Sequence, residues 1–197
     1  MSNYLEQYYT PPPLTRALLE RLNLEPMTIA EPCAGEGWIA RELIRDGHTI
    51  IAGDVDPELD LRSGLDFFSK RATGVYGRTD AIITNPPWSD SARFVRRALE
   101  ITPNVAMLLR LTFLEPCDSE PASRRVDLLR IMRSHIVMPR TRFYKGGKKT
   151  DSVPPMWFVW GFDWLDIPAF DVVTTPELAR HAGQQNLFSN ETKGAEI

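Results

Sequence analysis

The chain has 197 residues, a formal charge of −3 and 43% hydrophobic residues, which suits one compact domain with a proper core rather than two. Its charged fraction of 25% is that of an ordinary globular protein, no apolar run approaches the ~20 residues of a bilayer span, and the opening stretch has neither the basic nor the apolar part of a secretory signal. The only two cysteines, Cys33 and Cys117, show no metal-like spacing, so a cytoplasmic protein without a disulfide framework or a metal site is expected.

In chain order, Leu14, Leu18, Leu19 and Leu22 recur at helical spacing after Pro11-Pro12-Pro13. Met27 to Ala30 reads as the first strand, and Trp38 to Ile44 as a helix stopped by Asp46-Gly47, where glycine tolerates positive φ. His48 to Gly53 reads as the second strand, and a weak third lies near Leu61-Arg62. Ala81 to Thr84 is a short buried strand followed by a helix from Ser91 to Leu99. Asn104 to Leu111 suits the centre of a sheet, Ala122 to Arg133 a helix, and Ile136 to Met138 another strand. Met156 to Trp160 is an aromatic strand with large side chains for both faces. This alternation predicts an α/β domain with a largely parallel sheet over residues 1–180. Beyond about Arg180 the chain turns polar without periodicity, and residues 181–197 are expected to form a flexible tail.

Glu31-Pro32-Cys33-Ala34-Gly35-Glu36-Gly37 falls between a strand and a helix, where glycines allow a sharp turn and close approach of a ligand. Gly35-x-Gly37-x-x-Ala40 also fits the dinucleotide fingerprint, with Asp54 at about the expected ~20-residue distance. The carboxylates separate the candidates. Glu31 and Glu36 would repel a pyrophosphate, whereas S-adenosylmethionine carries a sulfonium and an ammonium that an acidic rim attracts. Asp54, at the end of the second strand, can accept hydrogen bonds from ribose hydroxyls; Asp56 is the competing acid.

With these motifs in order, the first ~90 residues resemble the amino-methyltransferases of the class I Rossmann-like family, especially the adenine-N6 DNA enzymes, and the segment from Arg140 to Lys149 resembles that of their small phage and prophage-type members. Tyr8-Tyr9-Thr10-Pro11 before a helix is similar to their N-terminal cofactor motif, and the glycine turn with Glu31, Cys33, Gly35 and Gly37 to their glycine motif. Gly53-Asp54-Val55-Asp56 looks like their ribose-binding strand end, and Asp66-Phe67-Phe68 like the pair that reads the cofactor's adenine. Asn85-Pro86-Pro87-Trp88 matches their catalytic tetrapeptide. The resemblance implies a mostly parallel seven-stranded sheet with an antiparallel last strand and helices on both faces. It also implies S-adenosylmethionine as cofactor and methylation of a base flipped out of the duplex.

The tetrapeptide suits an aromatic amine, a poor nucleophile. Acceptors on its hydrogens, the Asn85 side-chain oxygen and the Pro86 carbonyl, would draw the nitrogen toward sp³ geometry and stabilise its developing charge. The prolines fix φ and remove two donors, and Trp88 can stack on the target base. For the acceptor, nine basic residues against one acid between Arg124 and Lys149 point to a polyanion. Arg140, Arg142, Lys145, Lys148 and Lys149 would hold phosphates, and Phe143 or Tyr144 would meet bases. The resemblance favours DNA over RNA. No recognition domain of the family's kind is visible after the sheet, so a short or degenerate target is expected.

Gln184-Gln185-Asn186-Leu187-Phe188 resembles the Gln-x-x-Leu-Phe peptide that binds the bacterial sliding clamp. Three other readings stay open: an RNA adenine-N6 methyltransferase, a protein-glutamine methyltransferase, and a non-catalytic module binding nucleic acid or cofactor.

Overall fold

A computed structural model of the chain describes residues 9–59, 64–116, 124–141, 143 and 153–189, the side chains of 184–189 excepted. Among these residues no helix is long and apolar enough to cross a membrane. The weak strand expected near Leu61-Arg62 lies outside the described residues, as do Arg142, Tyr144, Lys145, Lys148 and Lys149 of the basic segment.

Seven strands form one sheet: β1 (Thr28–Glu31), β2 (Thr49–Ala52), β3 (Ala81–Thr84), β4 (Val105–Arg110), β5 (Met132–Val137), β6 (Pro155–Trp160) and β7 (Phe170–Val172). Their order is β2-β1-β3-β4-β6-β5-β7. β1 pairs in parallel with β2 and β3, and β3 with β4. β6 runs antiparallel to both β4 and β5, while β7 is parallel to β5. The reversed strand is therefore β6, the aromatic Met156–Trp160 strand on which the sequence-based reading of the sheet ends. β6 follows β5 directly in the sequence and returns as its antiparallel neighbour, and the short β7 is added at the edge. Phe170 and Val172 are exposed there.

β3 and β6 are fully buried and β4 nearly so, matching their continuous apolar runs. Trp157 and Trp160 lie deep in the core, and each indole N–H is satisfied at 2.9 Å, by the Leu14 carbonyl and the Leu128 carbonyl respectively. These two bonds tie the sheet to helices α1 (Pro12–Leu22) and α5 (Val126–Arg130), because a buried indole must find an acceptor. The proline at the first helical position of α1 costs nothing, since that N–H has no intrahelical partner.

Helices α2 (Trp38–Arg45) and α4 (Ser91–Ile101) agree with the predicted periodicity. Three segments differ. The helix expected over Ala122 to Arg133 shrinks to α5, and β5 takes over from Met132, where Ser134 and Ile136 alternate inward with period two. α3 (Lys70–Tyr76) is seven residues long and contains Gly74, so periodicity passes it over; its start is marked by Ser69, whose hydroxyl accepts from the Ala72 N–H. α6 (Thr175–Ser189) carries a helix past the Arg180 boundary set for the tail. Ion pairs hold its first turns: Arg21 of α1 reaches Glu177 at 2.6 Å and Asp171 of β7 at 2.5 Å, and Arg16 donates to the His181 carbonyl at 2.6 Å.

Candidate functional site

At the carboxyl ends of β1, β2 and β3 a pocket of about 240 Å³ gathers residues from six segments of the first ~95. The turn after β1 forms one wall. Gly35 sits at φ +52°, and a Cβ there would lie 3.0 Å from the Tyr9 ring. Only glycine satisfies both the left-handed backbone and this close approach. Tyr9 in turn stacks on Trp38 with 6.3 Å between ring centroids, closing the pocket beside the turn.

Asp54 follows β2 and reaches across to this turn. Its Oδ2 accepts from the Gly35 N–H at 2.8 Å and its Oδ1 from the Asp56 N–H at 2.9 Å. The carboxylate is thereby fixed with lone pairs to spare. Asp54 lines the pocket and Asp56 does not; the Asp56 carboxylate instead accepts from the Glu58 N–H at 3.0 Å. On the far wall, Asp66 turns the chain by accepting from the Phe68 N–H at 2.9 Å, and Phe67 and Phe68 follow it. Phe67 is buried against Phe94 and Tyr76, whereas Phe68 carries the Arg93 guanidinium 3.7 Å above its ring.

The acids are not equivalent. Glu36 is exposed and does not line the pocket, so the acidic rim expected from the turn is reduced to Glu31, Asp54 and Asp66. Glu31 is 1% exposed, with Oε2 buried and lacking a hydrogen-bond partner. Burial first, and then the Asp54 charge, push its carboxyl well above the usual carboxylate range. Burial and the same charge push the Cys33 thiol up, so it stays protonated at neutral pH and is no nucleophile.

Asn85 enters the pocket from the end of β3 and is held at both ends of its amide. The Trp88 indole N–H donates to Asn85 Oδ1 at 2.9 Å and to the Leu108 carbonyl at 3.0 Å, and Asn85 Nδ2 donates to the Thr10 hydroxyl at 3.0 Å. Because an indole only donates, the amide oxygen must face Trp88. Trp88 itself is 6% exposed, edge-on to Phe143 at 5.0 Å and under Arg110 at 4.8 Å. Its observed contacts orient Asn85, a role the tetrapeptide does not announce.

Tyr9, Thr10, Glu31, Cys33, Gly35, Asp54, Val55, Asp66 and Phe67 all line this one pocket, with Asn85 and Pro87. Gly37, Pro86 and Trp88 do not: Gly37 stands at φ 76° at the start of α2, and Trp88 faces an adjoining pocket. Pro32, Ala34, Trp38, Ile39, Phe68 and Phe94 complete the lining. Trp38 and Phe94 were not singled out because in the sequence each is one more apolar residue on a helix face. Arg140 is exposed beyond β5. No group of three or more His, Cys, Asp or Glu side chains able to hold a metal ion occurs among the described residues.

No protein-family model matches the chain, and no curated protein sequence does. Solved structures do. The chain superposes on a modification subunit of a putative type I restriction enzyme from Vibrio vulnificus with a TM-score of 0.62 and 16% identity, over 96% of this chain and 54% of that one. It thus spans about half the length of that subunit. A putative RNA methyltransferase from Pyrococcus horikoshii matches with a TM-score of 0.56 and 19% identity, over 81% of this chain and 87% of the other. An O-methyltransferase from Bacillus cereus, solved with S-adenosylhomocysteine, gives 0.51 and 13%, over 80% and 84%. The fold is that of Rossmann-like class I methyltransferases.

Proposed function

We propose that the chain is an S-adenosylmethionine-dependent methyltransferase acting on the N6 amine of adenine in nucleic acid, with DNA favoured over RNA. The observation that carries the reading is Asn85, aimed into the pocket from the end of β3 with its amide oxygen identified by Trp88.

The pocket fits the cofactor in three respects. Glu31 Oε2 is a buried acceptor wanting a donor, and an α-ammonium would supply it and draw the carboxyl back to its charged form. Asp54 stands where a ribose diol would lie, and it takes that role over Asp56. Gly35, where a Cβ would meet the Tyr9 ring, lets the turn take its left-handed backbone and pack close to that ring at the pocket wall. Phe67 and Phe68 would cover an adenine whose amine Asp66 reads. When bound, the cofactor supplies an electrophilic methyl group.

The protein's own part is positional and electrostatic. Asn85 Oδ1, held in place by the Trp88 N–H, would accept one hydrogen of the acceptor amine, and the Pro86 carbonyl the second. Thr10 and Trp88 prevent the amide from turning over, so this polarity costs no reorganisation when the base arrives. No general base is assigned.

Asn85→Ala is expected to lower methyl transfer by at least ~10²-fold while S-adenosylhomocysteine binding, read by calorimetry, falls little. Turnover near wild type would sink the assignment. Transfer of labelled methyl groups to DNA, RNA and protein pools, followed by nucleoside analysis, identifies the acceptor. Product in the protein pool alone would replace this reading with a glutamine methyltransferase. The type I modification subunit and the putative RNA methyltransferase among the structural relatives are consistent with either nucleic acid. The preference for DNA rests on the resemblance of the tetrapeptide and basic segment to adenine-N6 DNA enzymes.

A further inference from the structure

Helix α4 leaves the tetrapeptide through the short 3-10 turn Trp88–Asp90, and three of its side chains meet the Asp66-Phe67-Phe68 wall of the first pocket. Phe94 lines the pocket itself, stacking on Phe67 with 5.8 Å between centroids and meeting Phe68 edge-on at 4.9 Å. Arg97, close to one turn further on, donates from Nε to the Phe67 carbonyl at 3.2 Å and from Nη2 to the Thr73 hydroxyl of α3 at 2.6 Å. Arg93 lays its guanidinium 3.7 Å above the Phe68 ring. Neither arginine lines the pocket.

Asp66 is thereby bracketed. On one side the Leu65 N–H donates to the Asp54 carbonyl at 2.9 Å, which ties the wall to the residue assigned to the ribose. On the other side Arg97 holds the Phe67 carbonyl. The bonds of Asp66 itself are local: its Oδ1 accepts from the Phe68 N–H at 2.9 Å, and its carbonyl accepts from the Ser69 hydroxyl at 2.7 Å. Local bonds of this kind shape a turn and leave its placement to the neighbours. Arg97 is only 16% exposed and Phe67 3%, so a charge-assisted bond between them acts in a partly dry setting, where it is strong. Both guanidinium groups are also paired along the helix, Arg97 with Glu100 at 2.9 Å and Arg93 with Asp90 at 3.2 Å. Their part is to hold the wall, not to bind an anion.

Taking that wall as the site of the cofactor's adenine, as read above, we propose that Arg97, assisted by Arg93, is a positioning residue for this base. It fixes the Phe67 carbonyl, and with it the direction from which Asp66 meets the ring. Adenine presents an amine donor where hypoxanthine presents a carbonyl oxygen, and a carboxylate accepts from the first and repels the second. Selectivity between the two bases then depends on a side chain outside the pocket.

Calorimetry on the full chain tests this by comparing S-adenosylhomocysteine with S-inosylhomocysteine, the same ligand with its base amine replaced by a carbonyl oxygen. Wild type should prefer the adenosyl ligand. Arg97→Met keeps an apolar stem and removes the donors. It should weaken S-adenosylhomocysteine binding about tenfold and S-inosylhomocysteine binding by clearly less, so the preference falls severalfold. Arg97→Lys should recover part of the preference, since the charge stays and the fork goes. A general loss of packing would lower both affinities alike and leave their ratio unchanged. That outcome, or wild-type affinity for both ligands in folded Arg97→Met, overturns the proposal. If circular dichroism shows that Arg97→Met does not fold, Arg93→Gln at its exposed position takes its place. It should lower S-adenosylhomocysteine affinity about threefold and reduce the preference, and unchanged binding there overturns the proposal equally. The wild type separates the two readings. Equal binding of both ligands by wild type ends the assignment of Asp66 and the role of Arg97 with it. A wild-type preference kept whole in Arg97→Met leaves Asp66 in place and removes Arg97 alone.

Discussion

Glu31 is the residue whose surroundings say most about what the pocket expects. It ends β1, a strand paired on both sides, where its carboxyl is buried and its Oε2 has no hydrogen-bond partner. A buried carboxyl with a raised pKa favours the fold in its neutral form. Its contribution is full below the unfolded carboxylate pKa, about 4, and is lost as the pH rises from there through the folded value. Glu31→Gln removes that loss. The ligand-free variant should melt higher than wild type at pH 7–8, the gap closing toward pH 4, while its affinity for S-adenosylmethionine falls because the ammonium loses a charged partner. Differential scanning fluorimetry across pH, with and without the cofactor, checks both halves. A parallel pH dependence in the two proteins would show that Glu31 is not the group responsible. Asn85, by contrast, was identifiable from its tetrapeptide. What the tetrapeptide did not disclose is that Trp88 spends its indole N–H on orienting the amide.

At the scale of elements, α6 shows how a helix without a strong apolar stripe is kept in place. Polar residues without apolar periodicity read as tail, yet Arg21, only 14% exposed, joins Asp171 and Glu177, and these contacts lie some 150 residues apart in sequence. Hydrogen bonding to Arg21 is the leading cause that lowers the Glu177 pKa. That carboxylate therefore stabilises the fold above the ordinary glutamate range and ceases to as the pH falls through its depressed value. Arg21→Met should cost about 1–3 kcal/mol at neutral pH, with the difference narrowing below pH ~4. Urea unfolding measures the first, and hydrogen exchange should show α6 opening ahead of the sheet. Equal stability at pH 7 would mean that α6 packs on α1 without the ion pairs. The strands needed no such help. β3, β4 and β6 were legible because burial on both faces forces continuous apolar runs, whereas β7 has three residues and an exposed face and gives no pattern to find.

For the molecule as a whole, the net charge of −3 conceals a separation of signs. Carboxylates line the first pocket, and guanidinium groups line its neighbour. Neutralising Lys145, Lys148 and Lys149 together is expected to weaken nucleic-acid binding and lower the salt slope by up to about three ions. A slope equal to wild type would remove that segment from the interface. The α/β class, the glycine turn, Asp54, Asp66 and Asn85 could be read from the sequence alone, because each is a short-range pattern. A strand end followed by a residue type with a local conformational or chemical demand is written in a few adjacent letters. Tertiary structure decided which side chains share a space. It placed Trp38 and Phe94 in the first pocket, kept Glu36 and Asp56 out of its lining, and added β7 beyond the reversed aromatic strand. It also brought Arg110 and Arg125 together beside Trp88. Those outcomes depend on packing between elements distant in the chain, where burial and charge pairing act over a few ångströms and leave no local pattern.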